Sequence, residues 1–168
     1  MPISHKPDGW YWGSKGPFPT KQKALQVGQA AHASGYKEDE QMNLNNASYF
    51  AATLLHSATV AHALHFQVTG EGSDAAHRAL QAYYEEIPDL VDTVVESIQG
   101  STQELVPLYT SAFATISTQI SPLEYIRSLQ AFVRNERKSL PQDSEIQNEV
   151  DAIATLLNST AYRLKFLR

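Results

Sequence analysis

The sequence predicts an all-α main body, and three observations lead to it. Apolar residues recur at steps of three and four in four separate stretches, which is the period of a helix with one buried face. Stop and cap signals separate these stretches. A long connection, residues 101–120, lies between the second and the third. Two short-looped helical pairs joined by one crossover make a ferritin-type four-helix bundle, which we expect for residues 46–168 after a polar linker at 37–45.

A small module is expected before the linker. Trp10-Tyr11-Trp12 lies between two glycines and favours a short β-strand, and Ser14-Lys15-Gly16-Pro17 has the composition of a turn. Thr20 then caps a short helix, which Gly35 ends. Residues 1–36 are therefore predicted to form a strand-turn-helix module.

The first helical pair is predicted from one apolar stripe and one break. Residues 46–68 carry the stripe, and Thr69-Gly70-Glu71-Gly72 interrupts it. Ser73 is the expected cap of the second helix, which runs to about Gln99 with Gly100 as its stop.

Capping signals begin the second helical pair. Ser121-Pro122-Leu123-Glu124 supplies a hydroxyl, a proline at the first helical position and a glutamate, which together predict a capping box. The apolar pattern continues to about Lys138, and Ser144-Glu145-Ile146-Gln147 repeats the capping device. The crossover at 101–120 is apolar enough to contain a short helix.

Composition and motifs exclude several classes of function. The chain has no cysteine, which excludes disulfides, zinc ribbons and thiol catalysis. It has no run of apolar residues long enough for a membrane span or a signal peptide, so we expect a cytoplasmic protein without a membrane partner. A glycine-rich phosphate loop, an HExxH motif and a Gly-x-Ser-x-Gly elbow are also absent.

Charge is distributed unevenly along the chain. Residues 1–37 contain five lysines and one acid, Asp8, whereas residues 38–104 contain eleven acids and one cation, Arg78. A basic segment on an acidic body is a candidate nucleic-acid arm. The lysines are interleaved with aromatic residues, however, which favours an ordered surface over a solvated tail, and both interpretations stay open.

Four side chains that can bind metal fall at fixed spacing: His65, His77, Asp92 and Glu96. On one continuous helix His77 and Asp92 would lie roughly 22 Å apart, too far to share an ion. Two solutions remain. Either the chain bends sharply near Pro88, or the histidines of one subunit face the two carboxylates of a twofold mate.

The carboxylates belong to a longer acidic stripe. Glu85, Asp89, Asp92 and Glu96 recur at steps of four, three and four, so they share one helix face. No lysine or arginine between residues 79 and 126 can neutralise them. Carboxylate oxygens combined with imidazole nitrogens suit iron, manganese or zinc, and Glu85 is a further candidate ligand. The same stripe is also typical of an ordinary solvated helix face.

The other histidines have weaker claims on a metal. His62 lies three residues before His65 on the same side of the first helix and is a further candidate ligand. His62 and His56 are equally compatible with hydrogen-bonded core residues. His5 and His32 lie outside the bundle and receive no assignment.

The region around the four predicted ligands resembles a known family. Residues 62–70, His-Ala-Leu-His-Phe-Gln-Val-Thr-Gly, are followed by His77, Tyr84, Asp92 and Glu96. This pattern is similar to the ferroxidase-centre region of the Dps miniferritins, the DNA-binding proteins from starved cells. The resemblance covers roughly residues 46–100, and the stretch 83–100 is closer still to phage-encoded Dps-like proteins of unknown function.

The resemblance implies a site shared between subunits. In Dps proteins the histidines come from one subunit and the aspartate and glutamate from its twofold mate. His65 and His77 would be neutral imidazole ligands of iron, Asp92 a bridging carboxylate and Glu96 a terminal one. Ferroxidase activity with peroxide or dioxygen, a homodimer and a twelve-subunit shell are what this family membership would imply.

Departures from the Dps pattern limit that expectation. Phe66 stands where Dps proteins usually have tryptophan, Gln81 where an acid is usual, and Ser97 where an arginine is common. With one carboxylate fewer, one metal position is better supported than two. Pro88 also interrupts the second helix.

A second function class stays open beside metal binding. The chain could be a non-enzymatic helical scaffold of a phage, located in the host cytoplasm or the virion, with a degenerate ferritin-like bundle. Residues 1–36 would then dock a virion or host partner through aromatic anchors at Trp10, Tyr11, Trp12 and Phe18. The competing role of these aromatics is to cover the end of the bundle.

Overall fold

A computed structural model describes residues 3–12, 15–33, 38–107 and 120–167, with all of their side chains except those of 31–33 and 38–43. The chain divides into two compact units, an N-terminal unit, Met1–Gln41, and a C-terminal unit, Met42–Arg168. The described residues are mostly helical, with five α-helices and a small antiparallel sheet.

The N-terminal unit contains a three-stranded antiparallel sheet followed by a helix. Strands β1 (Ile3–Lys6), β2 (Gly9–Trp12) and β3 (Lys15–Phe18) lie in the order β1-β2-β3, and α1 spans Lys21–Ala33. Thr20 caps α1 as predicted, because Lys23 N donates to its hydroxyl oxygen at 3.1 Å. The expected end of this helix at Gly35 lies outside the described residues.

The sequence predicted only one of the three strands. β1 has the short polar sequence Ile-Ser-His-Lys, which shows no alternation, and the Gly16-Pro17 pair in β3 has turn composition. Proline is tolerated in β3 because this strand lies at the edge of the sheet. The strand-turn-helix prediction is therefore corrected to a three-stranded sheet with one helix.

Trp12 joins the sheet to α1. Its side chain is buried, and it lies directly against Gly28 of α1, where any Cβ would collide with the indole. Ala24, one helical turn earlier, is also fully buried. Two small residues on one face of α1 thus accommodate one large aromatic side chain.

The C-terminal unit is built from four long helices, the first of which begins four residues before the boundary of the unit. These are α2 (Glu38–His65), α3 (Ser73–Thr102), α4 (Pro122–Glu136) and α5 (Ser144–Phe166), with a 3-10 turn at Arg137–Ser139 after α4. The predicted linker at 37–45 is wrong from Glu38 onward, because this stretch begins α2.

Helix α3 is longer and more continuous than predicted. It passes through Pro88 and Gly100 and ends at Thr102, after which Gln103 adopts a left-handed conformation with φ 57°. Its N-cap is Gly72, at φ 78°, and not Ser73. Buried side chains run along the inner face of α3 from Ala79 to Ile98, on both sides of Pro88, and this packing maintains the helix through the proline.

The two predicted capping boxes have different outcomes. At α4 the box is present, with Glu124 N donating to Ser121 Oγ at 3.3 Å and Ser121 N donating to Glu124 Oε2 at 3.2 Å. At α5 the prediction is wrong, because Asp143 is the N-cap residue and makes no side-chain capping bond. The Gln147 side chain instead donates to the carbonyl of Pro141 at 2.9 Å.

Specific contacts show which helices are neighbours. In α2, Ser57 Oγ lies 2.6 Å from the Tyr83 hydroxyl of α3, and Phe50 stacks on Phe132 of α4 with 5.7 Å between ring centroids. Helix α5 packs on both α3 and α4. Burial raises the pKa of the Tyr83 hydroxyl, which therefore stays protonated beside Ser57.

The connection between α3 and α4 is only partly described. Residues 103–107 are irregular, and the short helix predicted within the crossover falls on residues 108–119, which lie outside the described residues. In the part of the chain that the structure describes, we find no helix with the length and hydropathy of a membrane span.

Candidate metal centre

The hairpin between α2 and α3 brings His65 and His77 together. His65 is the last residue of α2, and His77 lies in the second turn of α3. Between the helices, Gly70 and Gly72 have φ values of 84° and 78°, which a side chain would disfavour, and they reverse the chain within a few residues. The two imidazole rings stack with 3.5 Å between their centroids.

The backbone fixes the tautomer of His65. Its Nδ1 lies 3.1 Å from the carbonyl oxygen of His77, and a carbonyl oxygen can only accept a hydrogen bond. Nδ1 therefore carries the proton in the neutral ring, and the lone pair is left on Nε2. This is the arrangement found for most metal-binding histidines, which donate their other ring N–H to a carbonyl or carboxylate.

Aromatic rings surround this pair. His62 stacks on Tyr84 with 4.2 Å between centroids, and Tyr84 meets His65 edge to face at 5.4 Å. His62 itself lies 5.7 Å from His65, and Phe66, which is 69% exposed, lies 4.8 Å from His62. Tyr84 was not predicted to have a role in the site. Its position seven residues after His77, and therefore on the same helix face, was the available signal.

A shallow groove of about 390 Å³ opens beside these rings. It is lined by the side chains Ala58, Thr59, His62, Ala63, Phe66 and Tyr84. Phe66 directly follows α2, the other residues lie on α2 or α3, and most of the side chains are apolar. An apolar, concave surface next to a histidine pair is suited to a docking partner that completes the site.

The two predicted carboxylate ligands lie elsewhere on α3. Asp92 and Glu96 are both exposed, and because α3 is continuous, His77 and Asp92 are separated by roughly 22 Å along its axis. The sharp bend near Pro88 is thus excluded. Within the described ranges, no group of three or more histidine, aspartate or glutamate side chains is placed to hold a metal ion in a single chain.

Asp92 nevertheless faces the same side of α3 as His77, since fifteen residues turn the helix to within roughly 60°. Among the described residues Asp92 and Glu96 have no ion-pair partner, and the ion pair formed within α3 joins Arg78 to Asp74 at 3.0 Å. Glu85, the further candidate, accepts a hydrogen bond from Gln81 at 2.8 Å. The carboxylates thus present negative charge that a bound cation can neutralise.

A comparison with protein-family models finds a match to this chain. Residues 65–164 match the sequence model of the Family of unknown function (DUF5856). The matched span begins at His65 and includes His77, Asp92 and Glu96, while His62 precedes it. Comparison with curated proteins and with solved structures gives no match.

Proposed function

The chain belongs to the Family of unknown function (DUF5856), and from its site we propose that two copies of it bind a divalent metal ion between them. His65 and His77 of one copy and Asp92 and Glu96 of the other are the proposed ligands. Iron is the proposed metal, with manganese and zinc as the alternatives that the same donor atoms accept.

One observation carries this proposal. The carbonyl of His77 holds the proton of His65 on Nδ1, which leaves Nε2 as a free donor atom beside the second imidazole. Any neutral histidine has this division between its nitrogens, and what favours a ligand role here is the second imidazole, whose centroid lies 3.5 Å from that of His65. The two adjacent imidazoles can supply two of the four ligands of a metal ion, and the Nε2 atom of His65 already has its lone pair available. The remaining oxygen ligands must come from a second source.

A twofold mate is the proposed second source. If α3 of one copy packs antiparallel on α3 of the other, His77 meets Asp92 of the mate when the axis passes midway between these positions, between Tyr84 and Glu85. Tyr84 is the residue that adjoins the histidines, and the groove beside it contains the exposed ring of Phe66. The predicted axis and the apolar surface therefore coincide, which supports an interface there.

The helix contacts support a ferritin-type bundle as the scaffold of this site. Helix α2 contacts α3 and α4, and α5 packs on α3 and α4, so each helix has two neighbours. The α2–α3 and α4–α5 connections are short, and a long connection joins the pairs. These are the features of a four-helix bundle with one crossover.

Iron oxidation is the proposed consequence of binding. Ferrous iron is the substrate, and dioxygen or peroxide is the oxidant. The chain contributes neutral imidazoles and ionised carboxylates that bind the ion, and apolar side chains that exclude water. Gln81 replaces an acid that Dps proteins usually have, so we propose one metal position per site.

The test is an anaerobic titration with ferrous iron, followed by addition of oxidant while ferric absorbance is recorded. Wild type is compared with His65→Ala, Asp92→Asn and the control Glu86→Gln. Glu86 is an exposed acid of α3, but it lies roughly 180° from His77 around the helix and should not matter. We expect both ligand variants to lose at least about tenfold in affinity and the control to match wild type.

Failure to bind metal, or equal binding by wild type and both ligand variants, would refute the proposal. In that case the non-enzymatic scaffold becomes the better account of the same bundle. Binding without oxidation would retain the metal site and remove the ferroxidase activity.

A further inference from the structure

The sheet and α1 carry most of the positive charge of the first half of the chain. Residues 3–33 contain Lys6, Lys15, Lys21 and Lys23 and a single acid, Asp8, whereas the last residues of the N-terminal unit add Glu38, Asp39 and Glu40. By contrast, residues 44–107 contain eight acids and only one cation, Arg78. A polyanion is therefore attracted to the sheet and α1 and repelled by the acidic stretches that follow them.

Tyr11 forms a fixed aromatic platform on this unit. It follows Trp10 and precedes the buried Trp12, so it projects from the sheet face opposite to the one that packs on α1. The ring lies against the backbone of Gly16, where an added Cβ would come within 2.6 Å of it. Its hydroxyl donates to Asp8 Oδ2 at 2.6 Å, which holds the orientation of the ring from its far end.

An ammonium group lies over this platform. Lys6 Nζ is 4.3 Å from the centroid of the Tyr11 ring, and both side chains are accessible from the same face of the sheet. On the other face the arrangement recurs. Trp10 contacts the ring of His5 at 4.4 Å, and Lys21 Nζ lies 5.8 Å from its centroid. Each of two adjacent aromatic residues is therefore paired with a lysine.

These pairs match the two parts of a nucleotide. A base has a flat π-face that stacks on an aromatic ring, and its phosphate needs a cation within reach of that ring. Lysine is on a flexible stem, so Lys6 can leave the ring for a phosphate while the base takes its place. Bases in a duplex are already stacked on one another and cannot use such a platform, whereas those of a single strand can.

We propose that the sheet of the N-terminal unit binds single-stranded nucleic acid, with a base stacked on Tyr11 and adjacent phosphates contacted by Lys6 and the other lysines of the unit. The proposal uses no residue of the metal centre. Its outcome is therefore independent of whether the histidines bind iron.

The test measures fluorescence anisotropy of a labelled oligothymidylate with the full chain. Two probes of the same length serve as comparisons, an abasic strand with the same phosphates and a duplex. We expect the oligothymidylate to bind about tenfold or more tightly than the abasic strand, because stacking adds to the phosphate contacts. Equal affinity for these two strands, preference for the duplex, or no binding at all would overturn the proposal.

Paired variants locate the site. Tyr11→Leu, which removes the ring, should weaken binding about tenfold, whereas Tyr11→Phe, which retains it, should bind like wild type. Lys6→Gln should reduce the slope of log affinity against log salt by about 0.7, the value for one lost phosphate contact. Lys165→Gln in the C-terminal unit is the control and should leave the slope unchanged.

Folding is checked in the same samples, since the chain's two tryptophans, Trp10 and Trp12, both lie in the N-terminal unit. If Tyr11→Leu loses the native tryptophan fluorescence, that variant is unfolded. The proposal is then tested by the Tyr11→Phe and Lys6→Gln variants and by the comparison with the abasic strand. A folded Tyr11→Leu variant with unchanged affinity would contradict the proposal.

Discussion

The imidazole of His65 stacks on the imidazole of His77, and its Nδ1 donates a hydrogen bond to the backbone carbonyl of His77. One contact thus joins the end of α2 to the start of α3 and also selects the nitrogen of His65 that stays free. A hydrogen bond to the backbone survives substitution of the His77 side chain. The two histidines can therefore be varied separately without removing the orientation of His65.

The proposed interface predicts a change in mass on substitution of Phe66. Its ring is 69% exposed beside the histidines, so Phe66→Asp should place a charge in the interface and convert the dimer to a monomer. Leu105→Asp is the matched control, because Leu105 is 81% exposed and lies outside the groove. Light scattering after size exclusion gives the mass. A Phe66→Asp dimer, or a monomeric wild type, would contradict the shared site.

Metal affinity should fall as the pH is lowered. A ligand nitrogen must be unprotonated, so protons compete with the metal for each imidazole. With two imidazole ligands, affinity should fall by up to about 100-fold per pH unit in acid. Titrations between about pH 5 and pH 8 test this. Asp92→Asn should lower the metal affinity at every pH without changing the slope of log affinity against pH. His65→Ala should make that slope shallower, which would show that the competing proton binds to His65.

Two glycine substitutions should have opposite effects on stability. In Gly28→Ala the new methyl group collides with the Trp12 indole and should destabilise the N-terminal unit by about 1–3 kcal/mol. In Gly100→Ala the methyl group meets no other atoms, and the loss of glycine from the α3 interior should stabilise the C-terminal unit by about 0.5–1 kcal/mol.

Two signals separate the units in these unfolding experiments. Tryptophan fluorescence reports on the N-terminal unit alone, because both tryptophans lie there, and circular dichroism reports mainly on the long helices. If Gly28→Ala is as stable as wild type by fluorescence, the packing of Trp12 on Gly28 is wrong.

The capping box of α4 predicts a loss of stability that depends on pH. Ser121→Ala should destabilise the C-terminal unit by about 1 kcal/mol near neutral pH. Hydrogen bonds from Ser121 hold the pKa of the Glu124 carboxyl below its usual value. The contribution of the ionised carboxylate is therefore complete above that usual value and is lost as the pH falls through the lowered pKa.

The difference in stability between wild type and Ser121→Ala should accordingly narrow at acid pH, to what the bond from Glu124 N to Ser121 Oγ contributes. Ser144→Ala is the control, since Asp143 occupies the N-cap of α5 and Ser144 forms no capping bond. Urea unfolding at several pH values measures both. If Ser121→Ala and Ser144→Ala lose the same stability, then Ser121 does not cap α4 more strongly than Ser144 caps α5, which contradicts the structure.

Local signals predicted much of the helical fold. The apolar stripes and the Ser121-Glu124 box required only neighbouring residues, and the structure confirms the corresponding helices and that cap. Predictions failed where packing overrides propensity. The bend near Pro88 does not form because Ile87 and Val91, on either side of it, are buried, whereas α3 continues only two residues past Gly100.

The candidate site was predictable only in part. Spacing along the chain identified His65 and His77, because a hairpin brings residues on either side of it together. Spacing could not identify the contact with the His77 carbonyl or the stacking of Tyr84 on His62, since these depend on side-chain rotamers. Nor could it place Asp92 and Glu96 against a second copy, which is a property of an assembly and not of one chain.

A mixed-chain experiment tests the shared site most directly. One chain carries His65→Ala and His77→Ala, the other carries Asp92→Asn and Glu96→Gln, and each alone should fail to bind iron. When the two are unfolded, mixed and refolded together, each heterodimer regains one complete site, with histidines from one chain and carboxylates from the other. The account predicts that heterodimers bind half as much iron per chain as wild type. Heterodimers that form but bind no iron would contradict it.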